Sequence, residues 1–163
     1  PVSGVEAMAE LTYRQATILD LELLVRTRLL ILRTIKQLDE TADLSAHEPH
    51  IRCYYQRALA DGSHIAYLVF DGERFVGAGG MSFYQVMPSY GNPTGNITYI
   101  MNIYTDPAYR RRGVAWHTLD LLVGDARARG VTAITLDATA MGRPLYKKYG
   151  FVPMDGEMEL SVF

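Results

Sequence analysis

The stretch YRRRGVAW, residues Tyr109 to Trp116, joins a basic turn to the start of a predicted helix. The first turn of a helix carries partial positive charge and unpaired backbone N–H groups, so three preceding arginines are unfavourable there unless an anion binds. Gly113 allows the backbone to approach a ligand closely, and guanidinium groups match the geometry of phosphate oxygens. The local pattern therefore predicts a phosphate site.

A second interpretation of the same stretch starts the helix earlier. Asp106-Pro107 is also a helix-start signal. A helix that began there would place Arg110 to Arg112 on an ordinary solvated face, with no ligand required. The residues alone leave both interpretations open.

The composition indicates one globular domain with a local basic feature. The chain has 163 residues and a formal net charge of −2, which argues against a dedicated nucleic-acid binder. Cys53 is the only cysteine, which excludes an intrachain disulfide and suits a cytoplasmic location. No apolar run approaches the ~20 residues that span a bilayer, so we predict no membrane association. We expect residues 1–10 to be a vector-derived or disordered leader and residues 11–163 to form the domain.

The hydrophobic periodicity predicts elements in the order β-α-α-β-β-β-α-β-α-β-β. Two pairs, Thr17 with Asp20 and Ser45 with Glu48, have the spacing of helix capping boxes. Asp71-Gly72 and Asp155-Gly156 are hairpin signals, and the second of them would close the fold with two strands. The pattern predicts a single α/β (α+β) domain with a mixed sheet of about seven strands and about four helices.

Two other candidate sites are weaker. The cluster Gly77 to Gly80 lacks the glycine spacing of a dinucleotide fingerprint, and a strand follows it, so we interpret it as a bulge or a close backbone approach. The four histidines show no metal-ligand spacing, and we expect no metal.

Two motifs resemble those of the GNAT acetyltransferase superfamily. DPAYRRRGVA contains residues Arg110 to Ala115 in the family's pyrophosphate pattern, Arg/Gln-x-x-Gly-x-Gly/Ala. About thirty residues later, GRPLYKKYGF is similar to the second family signature, in which a small residue leads to Tyr-x-x-x-Gly-Phe. The match covers Ile97 to Phe151. The resemblance implies a GNAT-like sheet that splits near its middle, with acetyl-CoA held in the gap.

The resemblance also implies roles for individual residues. The backbone of Ile103 and Thr105 would pair with the pantetheine arm, and the N–H groups of the arginine segment would hold the pyrophosphate. Thr139 stands where family members often carry a pantetheine-binding Asn. The implied cofactor-binding set is Ile103, Thr105, Arg110, Arg111, Arg112, Gly113, Val114, Ala115 and Thr139.

The implied activity is N-acetylation by direct attack of an amine on acetyl-CoA. Tyr146 occupies the position where the family often places its general acid, and Asn102 and Tyr104 are candidates to line the acceptor cleft. No carboxylate lies on ITYIMNIYT (residues 97–105) to act as a base. The expected acceptor is a small-molecule or peptide amine, and a homodimer stays open.

Two other function classes stay open at this point. The chain could bind acyl-CoA as a sensor without turnover, since the expected base is missing. It could instead be an interaction module in which Arg110 to Arg112 meet nucleic-acid phosphates, although the overall acidity and the second motif count against this.

Overall fold

The computed structural model describes residues 10–162, so most of the expected leader, residues 1–9, lies outside the described residues. One five-stranded sheet carries helices on both faces, which confirms the predicted fold class. The elements, in chain order, are β1 (Thr12–Gln15), a 3-10 turn (Ile18–Asp20), α1 (Leu21–Ile35), α2 (Glu48–Asp61), β2 (His64–Asp71), β3 (Arg74–Gln85), β4 (Asn96–Thr105), a second 3-10 turn (Pro107–Tyr109), α3 (Val114–Ala128), β5 (Ala133–Leu136) and α4 (Arg143–Tyr149).

The prediction of about seven strands was too high by the two strands of the closing hairpin. Within the described chain, no strand is formed after α4. Met158, Leu160 and Val162 are 98%, 89% and 92% exposed. Their alternation is typical of a strand, but a strand is stable only when its backbone pairs and one face is buried. The alternating pattern is present in the sequence, but among the described residues this segment pairs with no strand and its apolar side chains stay exposed.

The sheet runs in the order β1-β2-β3-β4-β5 and changes character at β4. The first four strands pair antiparallel, whereas β4 and β5 pair in parallel. The parallel ladder is short and extends only from Ile97 opposite Ala133 to Ile100 opposite Leu136. Residues 101–105 of β4 therefore have no strand partner on that side within the described residues. The sheet opens at this point.

Two hydrophobic layers hold the helices against the sheet. Leu24 and Val25 of α1 and Tyr55 of α2 pack on Ala66 and Leu68 of β2. On the opposite face, Leu119 and Leu122 of α3 form a cluster with Ile65, Met81 and Ile100, against which Tyr146 of α4 also packs. The opening in the sheet thus lies between an α1/α2 face and an α3/α4 face. No helix within residues 10–162 is long and apolar enough to cross a bilayer.

The two predicted capping boxes had different outcomes. Thr17 and Asp20 form the reciprocal box, at the start of the turn that leads into α1. The prediction for Ser45 was wrong, because α2 begins at Glu48 with no side-chain cap. The N–H of Ser45 instead donates to the carboxylate of Asp43, so local loop hydrogen bonds take the place of the cap.

The glycine cluster is a bulge with close helix packing, as predicted. The β3–β4 register shifts between Ala78 and Gly80. A β-carbon on Gly79 would lie 2.6 Å from Thr118 Cγ2 of α3, which is closer than side chains tolerate. This packing sets α3 directly over the sheet.

Candidate active site

The arginine segment forms a loop between two helical pieces. The Asp106 carboxylate accepts a hydrogen bond from the N–H of Ala108 at 2.9 Å, but it caps only the 3-10 turn Pro107–Tyr109. The α-helix begins at Val114. The earlier helix start is therefore wrong, and Arg110 to Arg112 lie in the connection rather than on a helix face.

The backbone of this connection is shaped to receive an anion. Arg111 and Gly113 both have left-handed φ angles, 62° and 78°. The start of α3 has no side-chain cap and no acidic residue in its first turn. A β-carbon on Gly113 would meet no described atom within 4 Å. Unpaired first-turn N–H groups beside open space form an anion-binding site, strengthened by the helix dipole.

The three arginine side chains are not equivalent. The Arg112 guanidinium lies 4.9 Å from the centre of the Tyr109 ring, and the Tyr109 hydroxyl donates to Asp71. All three arginines are exposed and none forms an ion pair within residues 10–162, so the ring contact is what distinguishes Arg112. The packing of Arg112 depends on a tyrosine that its own loop supplies, and the sequence pattern gave no sign of it.

The predicted pantetheine-binding residues lie at the opening of the sheet. Ile103 and Thr105 belong to the part of β4 that runs beyond its last pair with β5. Backbone groups on that side of β4 have no partner strand among the described residues. The structure thus brings these two residues to the same end of the sheet as the uncapped start of α3.

Asn102 occupies a polar cluster on the α1/α2 face. Its φ angle is 61°, and its side-chain oxygen accepts a hydrogen bond from Arg28 of α1 at 3.1 Å. Its amide nitrogen lies 3.4 Å from the Tyr55 hydroxyl oxygen of α2. Tyr104, the other predicted acceptor residue, stacks on Phe75 with ring centres 6.0 Å apart. Sequence reasoning missed Arg28 and Tyr55, which helical periodicity alone marks only as positions on α1 and α2.

A tyrosine–carboxylate contact bridges the two diverging strands. The Tyr99 hydroxyl of β4 donates to Asp137 Oδ2, one residue past β5, at 2.8 Å. Burial and the nearby Asp137 carboxylate raise the pKa of Tyr99 to about 12. Asp137 was also missed, because in the sequence it is simply the polar residue that ends a strand.

Tyr146 lines a cleft of about 490 Å³ with Asp137 and the segment that follows α4. Its ring contacts Phe151 edge-to-face at 6.1 Å between ring centres. Burial raises the pKa of its phenol. Thr139 Oγ1 accepts a hydrogen bond from the N–H of Gly142 at 3.2 Å, so this side chain also orders the turn before α4.

A metal centre has no visible ligand set in the described part of the chain. Residues 10–162 contain no group of three or more His, Cys, Asp or Glu side chains placed to hold an ion.

Comparisons with protein families and with solved structures both point to GNAT acetyltransferases. The model of the acetyltransferase (GNAT) family matches residues 31–151. A predicted acetyltransferase from Clostridium acetobutylicum, solved with acetyl-CoA, is 32% identical, with a TM-score of 0.86 over 93% of this chain and 96% of that one. A GCN5-related N-acetyltransferase from Ralstonia eutropha is 29% identical, with a TM-score of 0.82 over 94% and 99% of the two chains.

A more distant structure shares the fold. An aminoglycoside antibiotic 6'-N-acetyltransferase from Acinetobacter haemolyticus is 17% identical, with a TM-score of 0.68 over 93% of this chain and 98% of that one. No functionally curated protein matches the sequence. The family model covers most of the chain and includes both the uncapped start of α3 and Tyr146. The chain therefore belongs to the acetyltransferase (GNAT) family, whose enzymes use acetyl-CoA, and is an acyltransferase.

Proposed function

We propose that the protein transfers the acetyl group of acetyl-CoA to a primary amine by direct attack. One observation supports this most strongly, the uncapped start of α3 beside the opening between β4 and β5. The first feature suits a diphosphate and the second suits an extended arm that pairs with a strand edge. CoA carries both a diphosphate and an extended pantetheine arm, so a protein that binds it needs these two features close together.

The residues of the arginine segment would hold the diphosphate mainly through backbone N–H groups. In this proposal the N–H groups of Arg111 to Ala115 point at the phosphates, and Gly113 keeps the space above them clear. The exposed guanidinium groups of Arg110 and Arg111 add a screened attraction. Arg112 contributes charge while its side chain stays stacked on Tyr109.

Along β4, the backbone of Ile103 and Thr105 would pair with the pantetheine arm. Val114 is buried in a cluster with Val69, Val76 and Tyr109, which fixes the start of the helix. Thr139 would close the other side of the arm. Its hydroxyl already accepts from the Gly142 N–H, so a contact with the cofactor would use its remaining hydrogen-bonding capacity.

Acetyl-CoA supplies an activated thioester, so the protein needs no nucleophile of its own. The amine nitrogen forms a bond to the acetyl carbon, the carbon–sulfur bond breaks, and the amine loses a proton to water. Tyr146 would donate a proton or hydrogen bond to the departing thiolate. Its raised pKa keeps the phenol protonated at neutral pH. A thiol has a pKa of about 8.5, so full proton transfer from a phenol is uphill by roughly 2 kcal/mol or more, which is small beside a reaction barrier.

The acceptor would enter on the α1/α2 face, where Asn102 and Tyr104 border the opening. A panel of amines tests the proposal, with thiol release and mass spectrometry of the acceptor as readouts. We expect acetyl-CoA-dependent thiol release that matches formation of an N-acetylated product. Release of thiol without an acetylated amine, or no release with any amine, would contradict amine acetylation.

A further inference from the structure

Arg28 is a half-buried cation that has no carboxylate partner among residues 10–162. The ion pairs within residues 10–162 use Arg14, Arg52 and Arg74, and none involves Arg28. Its one hydrogen-bond acceptor in that part of the chain is the neutral amide of Asn102, although a guanidinium carries five N–H donors. Its remaining N–H donors have no acceptor among the described residues, so they are available to bind an anion.

The three titratable groups whose pKa the Arg28 charge affects, His64, Tyr55 and Tyr99, are neutral near pH 7. Burial, together with the Arg28 charge, lowers the pKa of His64 to about 4. Burial raises the pKa of the Tyr55 phenol to about 12. Tyr99 also lies within the electrostatic reach of Arg28, and its phenol stays protonated. The Asp137 carboxylate accepts from Tyr99 and makes no ion pair with Arg28 within the described residues. None of these neutral groups compensates the positive charge of Arg28, so the charge can attract an anion.

The position of this charge relates it to the reaction. Asn102, which accepts from Arg28, is two residues beyond the last β4–β5 pair and has a left-handed backbone. In the proposed function, the acetyl group is delivered at this opening and the acceptor enters from the α1/α2 face. Arg28 thus faces the acceptor rather than the diphosphate, which binds at the start of α3.

We propose that the acceptor amine carries an anionic group, a carboxylate or a phosphate, and that Arg28 binds it. This inference rests on the proposed acetyl transfer and names its substrate class. A guanidinium group binds a carboxylate or a phosphate in the same bidentate geometry. Arg28 therefore indicates an anionic group on the acceptor without distinguishing between these two anions. The side-chain oxygen of Asn102 would orient the Arg28 guanidinium, while the contact between the Tyr55 hydroxyl and the Asn102 amide nitrogen holds Asn102 in place.

The test compares acceptors in matched pairs. One pair is an α-amino acid and its primary amide, and the second is a phosphorylated amino sugar and its unphosphorylated form. For the wild-type protein we expect kcat/KM to favour the anionic member of at least one pair by about 10–100-fold, the range for hydrogen bonds to a charged group. The pair that shows the preference identifies the anion as carboxylate or phosphate.

Variants separate recognition from structural support. Arg28→Gln keeps a side-chain donor for Asn102 but removes the charge, and we expect the ratio within the preferred pair to fall towards one. Arg26→Gln, an exposed position on the same helix, should leave the ratio unchanged. Equal kcat/KM values within both pairs for the wild type would overturn the inference and leave acetyl transfer intact. An unchanged ratio in Arg28→Gln would overturn it as well. Absence of acetylated product from every amine would instead overturn the proposed function.

Discussion

Replacing Tyr146 with Phe is expected to lower kcat by about 10²–10⁴-fold, the usual contribution of one positioned proton donor. The substitution keeps the ring, and therefore the packing against Phe151, while it removes the hydroxyl. Binding of acetyl-CoA should change little, because the hydroxyl acts mainly as negative charge develops on sulfur. Single-turnover kinetics of thiol release measure the effect directly.

Tyr149→Phe is the matched control on the same helix. The Tyr149 hydroxyl donates to Asp120 at 2.8 Å and has no part in the proposed chemistry. We expect this variant to keep most of the parent rate. If Tyr146→Phe stays within about threefold of the parent when chemistry limits the rate, Tyr146 is a packing residue and the thiolate departs without its help.

Replacing Gly113 with Val is expected to weaken acetyl-CoA binding by about tenfold or more. A β-branched residue in a left-handed conformation costs roughly 1–3 kcal/mol, which would reshape the loop, and 1.4 kcal/mol corresponds to tenfold in affinity. The added methyl groups would also enter the clear space over the start of α3. Arg111→Ala should cost less, at most about fivefold, because an exposed charge pair contributes ~0.2–1 kcal/mol. Calorimetric titration measures both.

Gly130→Val controls for backbone strain. Gly130 has a φ of 74° and equally open surroundings, but it follows the other end of α3. This variant should lose stability while its affinity for acetyl-CoA stays close to that of the parent, provided that circular dichroism shows both valine variants folded. A larger loss of affinity in Arg111→Ala than in Gly113→Val would show that side-chain charge, not the backbone, holds the diphosphate.

Features that depend on neighbouring residues in the sequence were predictable. The Thr17–Asp20 capping box and the Asp71-Gly72 hairpin each follow from a local conformational preference, and the structure contains both. The placement of Arg110 to Arg112 could be reduced to two interpretations. Only the structure shows that the Asp106 cap starts a short turn rather than α3.

Features that depend on distant contacts were not predictable. Arg28 and Asn102 are 74 positions apart, and nothing in either local pattern announces their hydrogen bond. Asp137 accepts a hydrogen bond from Tyr99 only because β5 pairs with β4 and brings the two residues together. The prediction of a closing hairpin was wrong for the opposite reason. Met158 and Leu160 have strand periodicity, but their side chains pack on no other part of the described chain. Periodicity predicts that a segment can form a strand, and pairing decides whether it does.

The proposed CoA site is tested most directly by the melting temperature in the presence of CoA and of pantetheine, which lacks the nucleotide diphosphate. A ligand that binds only the native state at ~100 times its Kd adds roughly 2.7 kcal/mol, which for a chain of this size raises the melting temperature by several degrees. If the uncapped start of α3 holds the diphosphate, CoA should produce this shift and pantetheine at the same concentration should produce little. Equal shifts with the two ligands, or no shift with CoA, would contradict the proposed binding site.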